Sequence, residues 1–347
     1  MARDHSDDDS SDEAPHPRAT TLLFGHAAAE ATMLAAYRSG RVPHAFLLSG
    51  PRGIGKATLA YRMARFVLAH PDPAAPAVKA ATSLFVDPKH PVARRIAAQA
   101  QPDFLVIERT LNDKGVLRNQ IAVEDIRRTV GFFGSTAGEG GWRIAIVDAV
   151  DELNRAGANA LLKVLEEPPQ RALLLLVSHS AARVPATLRS RCRILNLRPL
   201  ADADVAAALA AVADGAADDP DIVAAAAAAD GSVERAYAFL DEDALALRRR
   251  ALDLLDRLPS LEAKALHALG EALAGTDPAP LNAFIDTINA WLARRLAREP
   301  GALPRLHRLA EASARINAAA RDAQDYNLER KPLVFSVFGL LAEATRG

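Results

Sequence analysis

The sequence predicts an α/β domain built on a parallel sheet, followed by an all-α C-terminal part. From about residue 19 to residue 198, short apolar runs alternate with helical periods, which is the pattern of strands joined by crossover helices. After Arg198-Pro199 no convincing strand recurs, and Ala, Leu and Arg dominate to the C-terminus. A chain of 347 residues is longer than one core usually covers, so two or three domains are expected.

Each candidate strand is too short for a core helix and is bounded by turn or polar residues. These strands are Ala45 to Ser49, Phe104 to Ile107, Ile144 to Val147, Leu173 to Val177 and Ile194 to Leu197. Helical periods lie between them, for example over Ala57 to Ala69 and Arg155 to Glu166. The C-terminal part is expected as short helices over Asp204 to Leu240 and a second helical block from Glu242 to Gly347, with breaks near Gly275 to Pro280 and Glu299 to Pro304.

Composition excludes several classes of protein. Half of the residues are hydrophobic and 24% are charged, which is the balance of a folded chain. No run approaches 18 uncharged apolar residues, and the N-terminus is acidic where a signal peptide is basic and then apolar. We therefore expect a soluble, cytoplasmic protein. Because Cys192 is the only cysteine, an intramolecular disulfide and a cysteine zinc cluster are excluded, and we expect no zinc.

The net charge of −1 conceals an asymmetry. Residues 1–13 hold six acids and one Arg, a net −5, so the remainder carries about +4. Residues 1–18 combine this acidic run with Ser and Pro and have no apolar period, which indicates a disordered tail. An excess of about four positive charges is too small to indicate nucleic-acid binding by itself.

The strongest local signal is the glycine-rich segment GPRGIGKAT between a predicted strand and a helix. Its glycines and lysine are Gly50, Gly53, Gly55 and Lys56. In such a loop, backbone N–H groups and the helix N-terminus cradle phosphates, and the lysine neutralises the terminal ones. The hydroxyl that binds Mg²⁺ after the lysine is missing, because Ala57 stands there and the nearest hydroxyl belongs to Thr58. Two interpretations stay open, a degenerate site for ATP or ADP with doubtful magnesium, and a glycine turn that only lets strand and helix pack closely.

A second signal follows the predicted strand Ile144 to Val147, which ends at Asp148. An acid at this position faces the glycine loop, and P-loop NTPases use such an acid to hold magnesium. Ser178 comes directly after another predicted strand. Its hydroxyl fits either a sensor of a terminal phosphate or an ordinary cap.

The segment NRAGANALLKVLEEPP, residues 154–169, carries a resemblance to a known family. It resembles the NALLKxLEEPP helix of bacterial clamp-loader ATPases, which are AAA+ proteins. The glycine loop before it and LRSRC of residues 188–192 after it fit that family in order and spacing. Within the family, the combination is similar to the delta-prime subunits of DNA polymerase III. The resemblance spans nearly the whole chain, with its motifs mainly in the first 200 residues.

The resemblance implies three domains after the tail of residues 1–18. These are a RecA-like AAA+ domain over residues 19–198, a small helical lid domain over 199–241 and a helical collar domain for oligomerisation over 242–347. In this family a Glu after the acidic strand end activates the attacking water, whereas here the residue is Ala149. We therefore expect binding at most and no turnover. Asp151 and Glu152 lie too far along the chain and are expected to be helix N-terminal charges.

The resemblance also gives a role to Ser190-Arg191-Cys192. In clamp loaders this motif lies at the subunit edge and presents its arginine to the nucleotide of the neighbouring subunit. Arg191 would act in trans as an arginine finger, since a guanidinium is permanently charged and forks onto phosphate oxygens. Without the family, Arg189, Arg191 and Arg193 would be interpreted as a solvated or packing cluster.

The implied function is a noncatalytic, arginine-donating subunit of the clamp loader in the DNA polymerase III holoenzyme, a nucleotidyltransferase complex. Its partners would be motor (tau/gamma-type) subunits and the delta subunit, with the sliding clamp and primed DNA reached through the complex and no membrane involved. The alternatives are a self-sufficient AAA+ ATPase in which Thr58 and Asp151 or Glu152 replace the missing groups, a motor subunit, and a DNA-binding protein. A motor subunit would require a hydroxyl after Lys56 and a Glu at position 149, and neither is present.

Overall fold

The computed structural model describes residues 16–110, 118, 120–134, 141–213, 215–275, 277–298, 303–326 and 328–346. The chain divides into two compact units, Met1–Glu234 and Arg235–Gly347. Of the predicted tail, residues 1–15 lie outside the described residues. Residues 17–19 form a turn, and the His16 side chain lies 3.2 Å from Glu108. The last residues of the predicted tail are therefore placed against the first unit.

A five-stranded parallel sheet forms the centre of the first unit. Its strands are β1 (Ala45–Ser49), β2 (Phe104–Glu108), β3 (Arg143–Asp148), β4 (Ala172–Ser178) and β5 (Arg193–Asn196). They lie in the order β2-β3-β4-β1-β5, so β4 is central and β2 and β5 form the edges. All five predicted strands are confirmed, each within one residue at either end. The predicted parallel α/β class is confirmed with them.

Among the described residues, one helix precedes β1, six lie between the strands and three follow β5. They are α1 (Ala27–Arg38), α2 (Lys56–Ala69), α3 (Pro76–Ala80), α4 (Pro91–Ala97), α5 (Val123–Gly134), α6 (Arg155–Glu166), α7 (Ala186–Arg189), α8 (Asp202–Ala213), α9 (Pro220–Ala228) and α10 (Val233–Ala238). Helix α6 begins where Asn154 Oδ1 accepts the Gly157 N–H at 2.8 Å, an N-cap that satisfies an end donor. It ends just before Pro168-Pro169, since proline cannot continue a helix.

Two apolar cores cover the two faces of the sheet, because successive strand residues point to opposite sides. Phe46 and Leu48 of β1 pack on one face in a cluster with Leu59 of α2. Ala45 and Leu47 pack on the other face in a cluster with Leu161 of α6. Burial on both sides explains why β1 and β4 are continuous apolar runs rather than alternating ones.

The second unit is helical in the part that the structure describes. Its remaining helices are α11 (Glu242–Asp256), α12 (Ala263–Ala272), α13 (Pro278–Arg298), α14 (Leu303–Asp325) and α15 (Arg330–Thr345). The interval between α12 and α13 falls at the predicted break near Gly275 to Pro280. Residues 299–302, which make up most of the second predicted break, lie outside the described residues. Within the described residues, no helix is both long and apolar enough to cross a membrane. The lid and collar boundaries at residues 199, 241 and 242 stay predictions.

Candidate functional site

The predicted nucleotide-site residues meet at the carboxyl edge of the sheet. The glycine loop leaves β1 after Ser49, which pairs with Ser178 at the end of β4. Asp148 ends β3 and pairs with Val177 of the same strand β4. Helix α2 begins directly after the loop at Lys56. The parallel register thus brings the loop, Asp148 and Ser178 together, as the sequence predicts.

Lys56 and Asp148 form the charged centre of this edge. Burial lowers the pKa of Lys56 to about 8, although the attraction of Asp148 opposes that shift. Burial raises the pKa of Asp148 to about 6, and Lys56 opposes this shift in turn. Each group therefore stabilises the charge of the other in a poorly hydrated place.

Other parts of the chain approach the loop glycines closely. A Cβ added at Gly53, where φ is +74°, would collide with the Ser232 side chain and would stand 2.7 Å from Glu234 Cβ. The Gly53 carbonyl accepts the Val233 N–H at 2.9 Å. A Cβ added at Gly50 would stand 2.5 Å from the Leu197 carbonyl oxygen. Close packing against other parts of the chain therefore explains why these positions are glycine, without a bound phosphate.

The side chains of the loop are engaged by the chain itself. The Lys56 ammonium donates to the Pro51 carbonyl of its own loop. Arg52 forms an ion pair of 3.0 Å with Glu234. Ala57 has no hydroxyl, and Thr58, one residue further on, is only partly buried. In this arrangement the charged loop side chains are paired within the chain, and position 57 offers magnesium no hydroxyl ligand.

The acids that follow β3 form hydrogen bonds and ion pairs within the fold. The residues that follow Asp148 are Ala149, which is buried, and a 3₁₀ turn over Val150–Glu152. Asp151 Oδ1 accepts the backbone N–H of His179 at 3.0 Å, and Oδ2 lies 2.7 Å from Arg183. Asp151 thus lies in the first turn of a short 3₁₀ helix, in agreement with the expected helix N-terminal position, and its carboxylate also joins the ends of two strands, while Asn154 caps α6.

Glu152 lies in the same 3₁₀ turn and is also paired within the fold. Its carboxylate lies 2.9 Å from Arg109 and 3.9 Å from the His179 ring. Burial raises the pKa of Glu152, with Arg109 opposing the shift. Burial also lowers the pKa of His179 to about 4, so this imidazole is neutral at pH 7.

Ser178 lies fully buried at the end of β4. Its hydroxyl oxygen accepts the Ser180 N–H at 3.1 Å, which turns the chain after the strand. This bond corresponds to the cap alternative for Ser178 and does not test the sensor alternative.

The SRC motif lies between α7 and the edge strand β5. The Ser190 hydroxyl donates to the Thr187 carbonyl at 3.1 Å, and the Cys192 thiol donates to the Leu188 carbonyl at 3.2 Å. Burial raises the pKa of Cys192 to about 11, so the thiol stays protonated. Arg191 differs from both, since its side chain is 36% exposed and lies 2.9 Å from Glu166. Ser190 and Cys192 therefore hold the turn, and Arg191 carries the accessible charge.

Two contacts at these sites were missed by sequence reasoning. One is the Arg52–Glu234 ion pair, whose partners are 182 residues apart in the chain. The other is the contact of Arg191 with Glu166, which belongs to the LEEPP segment but received no role. Charge alone points to neither pair, since exposed acids and arginines are common throughout the sequence.

The sequence is similar to a known protein family and to characterised members of it. The family model described as DNA polymerase III, delta subunit matches residues 25–201 of the 347. The DNA polymerase III subunit delta' of Pseudomonas aeruginosa is 37% identical over 149 residues, which cover 43% of this chain and 41% of that protein. The subunit gamma of Buchnera aphidicola (subsp. Schizaphis graminum) is 32% identical over 166 residues, 48% of this chain and 41% of that protein.

Among solved structures, a DNA polymerase III gamma subunit-related protein of Thermotoga maritima aligns with a TM-score of 0.40 and 15% identity, covering 90% of this chain and all of that one. The matched segment spans about two fifths of the length of the two sequence relatives. Because the family model covers half of the chain, including the glycine loop and the SRC motif, the protein belongs to the family of DNA polymerase III delta subunits, and its resemblance to clamp-loader delta-prime subunits is confirmed.

Proposed function

We propose that this chain is a noncatalytic delta-prime subunit of the DNA polymerase III clamp loader. In this role it takes part in the ATP-dependent loading of the sliding clamp on primed DNA. It assembles with motor (tau/gamma-type) subunits and the delta subunit, and it donates Arg191 to the nucleotide of a neighbouring motor subunit. Its own glycine loop hydrolyses no ATP and is either empty or holds ATP or ADP statically.

One observation carries the noncatalytic part of the proposal. A hydrolysing site needs a group that orients or activates water beside the terminal phosphate. Ala149 offers no such group, and the two acids that follow it are committed, Asp151 to the His179 N–H and Arg183, and Glu152 to Arg109. The missing magnesium ligand at Ala57 supports the same conclusion.

Two properties of Arg191 support its role in trans. Its guanidinium is partly exposed next to an edge strand, where a neighbouring subunit can reach it. A guanidinium also stays charged at any physiological pH and stabilises negative charge that develops on a transferring phosphoryl group.

The experiment combines the purified chain with cognate motor and delta subunits, clamp and primed DNA, and measures ATPase activity. We expect the wild-type chain to stimulate the ATPase and Arg191→Ala to abolish the stimulation. Arg193→Ala, a change of the same kind two residues away, is the matched control and should keep it. Unfolding temperatures verify that both variants fold.

Each component of the proposal has its own contrary result. If Arg191→Ala still stimulates, the role in trans is refuted. If the isolated chain hydrolyses ATP, it is an ATPase in its own right, and the alanines at positions 57 and 149 do not prevent hydrolysis. Salt-dependent DNA binding by the isolated chain would favour the DNA-binding alternative instead.

A further inference from the structure

Three arginines lie close together around the SRC motif, and the structure distinguishes them by what holds them. Arg191 Nη2 lies 2.9 Å from Glu166 Oε1, and its Nη1 donates to the Thr187 carbonyl at 2.9 Å. Arg189 donates to the Ala181 carbonyl at 3.0 Å. Arg193 makes no side-chain hydrogen bond or ion pair with any residue that the structure describes. Among the three, Arg191 is the one that a carboxylate holds.

Glu166 occupies an unusual place for an acid, because it is the last residue of α6. The dipole of a helix disfavours negative charge at the C-terminus, and a second acid, Glu167, follows immediately. A guanidinium at this helix end offsets the unfavourable charge. The two prolines at positions 168 and 169 stop the helix there. The Glu166 side chain is therefore attached at a fixed position, the end of α6.

The bonds of Arg191 leave most of its donors available. A guanidinium has five N–H groups in one plane. The Thr187 carbonyl accepts one hydrogen bond from Nη1 and Glu166 forms an ion pair at Nη2, and these are its only such contacts among the described residues. An incoming phosphate can therefore bind the Nε–H and the remaining Nη donors while both existing bonds persist. The carboxylate also limits the rotation of a side chain that otherwise has many rotamers.

We propose that Glu166 is a positioning residue for Arg191, which holds the guanidinium in one orientation so that it reaches the neighbour's nucleotide without prior ordering. The inference rests on the proposed function of Arg191 in trans. Glu166 itself does not touch the reacting atoms. Its removal therefore slows the assisted reaction without changing how tightly the motor subunit binds ATP.

The first test uses the isolated full chain and needs no partner. Phenylglyoxal modifies arginine, and mass spectrometry compares its rate at Arg191 with the rate at Arg193 in the same sample. We expect Glu166→Ala to raise the Arg191 rate about two- to fivefold, the range for losing an exposed ion pair. Glu167→Ala, which removes the adjacent acid, should leave the ratio unchanged. An unchanged ratio in Glu166→Ala would overturn the proposal.

The second test uses the assembled complex with clamp and primed DNA. In Glu166→Ala, we expect the kcat of the stimulated ATPase to fall about two- to fivefold with the KM for ATP unchanged. Glu166→Gln should restore part of the rate, because its side-chain oxygen keeps the place of the carboxylate beside Nη2 without the charge. In an Arg191→Ala background, Glu166→Ala should have no further effect.

The outcomes separate this proposal from the function on which it rests. If Arg191→Ala loses stimulation while Glu166→Ala keeps the wild-type kcat, the positioning role is overturned and the arginine role stands. If Arg191→Ala keeps stimulation, the arginine role fails, and the positioning role fails with it whatever the modification rates show.

Discussion

Replacing Asp151 with alanine removes a buried carboxylate that joins the end of β3 to the segment after β4. The side chain is fully buried, and it accepts the His179 N–H at 3.0 Å and faces Arg183 at 2.7 Å. A hydrogen bond to a buried charged group contributes about 1.5–3 kcal/mol. The Arg183 pair adds about 0–1 kcal/mol, because that arginine is 62% exposed and well solvated. We expect Asp151→Ala to lower the free energy of unfolding of the first unit by about 1.5–4 kcal/mol.

The assay uses the two tryptophans of the chain as separate reporters. Trp142 lies in the first unit and Trp291 in the second. A Trp291→Phe background leaves Trp142 to report urea unfolding of the first unit. Asp151→Asn should recover about half of the loss, since its amide oxygen still accepts the His179 N–H. Glu167→Ala, an exposed acid in the same unit, should change the free energy by less than about 0.5 kcal/mol. A cost below about 1 kcal/mol for Asp151→Ala would refute the bracing role and reopen the use of Asp151 as a base.

Three further predictions concern pH, the helical unit and the glycine loop. Burial raises the pKa of Asp148 from its ordinary value of 3.8 to about 6. Between these pH values the native state therefore binds more protons than the unfolded state, and the stability that this group contributes falls as the pH rises. Asp148→Asn should remove this contribution to the pH dependence of the urea midpoint between pH 4 and 6. Asn289 and Asn317 exchange two hydrogen bonds of 3.0 Å between α13 and α14, so a double-mutant cycle with alanine, monitored through Trp291, should give a coupling of about 1 kcal/mol, and additive effects would contradict this. Gly53→Ala should destabilise the first unit by more than about 1 kcal/mol because of its positive φ and its crowding, whereas Gly131→Ala in α5, with nothing within 4 Å, should stabilise it by about 0.5–1 kcal/mol; equal denaturation midpoints would contradict the packing argument.

The inner strands β1, β3 and β4 were predictable because they are buried on both sides and give continuous apolar runs. The edge strands β2 and β5 are less buried, and their short apolar runs bounded by polar residues were the signal. Helix α1 lacks comparable signals in the sequence. It begins after His26, which has a φ of +49° and no side-chain cap bond, so the usual start residue is missing. The apolar period of α6 and its cap at Asn154 are both local, and this helix was predicted at its observed bounds.

The candidate site was predictable where the register of parallel strands decides the outcome. Asp148 and Ser178 had to meet the glycine loop, because the carboxyl ends of adjacent parallel strands lie at one edge. The role of Asp151 could not be obtained in this way. Its partner, the N–H of His179, lies 28 residues away and becomes available only because the chain turns after β4. Because every residue except proline has a backbone N–H, the sequence does not indicate which of them bonds to Asp151.

The glycine loop shows why such a motif does not identify a nucleotide site by itself. A phosphate cradle needs small residues at positive φ so that another group can approach the backbone closely. Close packing of one chain segment on another needs the same property. Here Val233, Glu234 and the Leu197 carbonyl approach the loop glycines. The glycines serve either purpose, so their presence cannot decide between them. The discriminating positions are those that only catalysis requires, the hydroxyl after Lys56 and the base after Asp148, and both are alanine in this chain. Restoring them with Ala57→Thr and Ala149→Glu should still yield no ATPase in the isolated chain, because Arg52 and Lys56 of the loop remain paired with Glu234 and the Pro51 carbonyl.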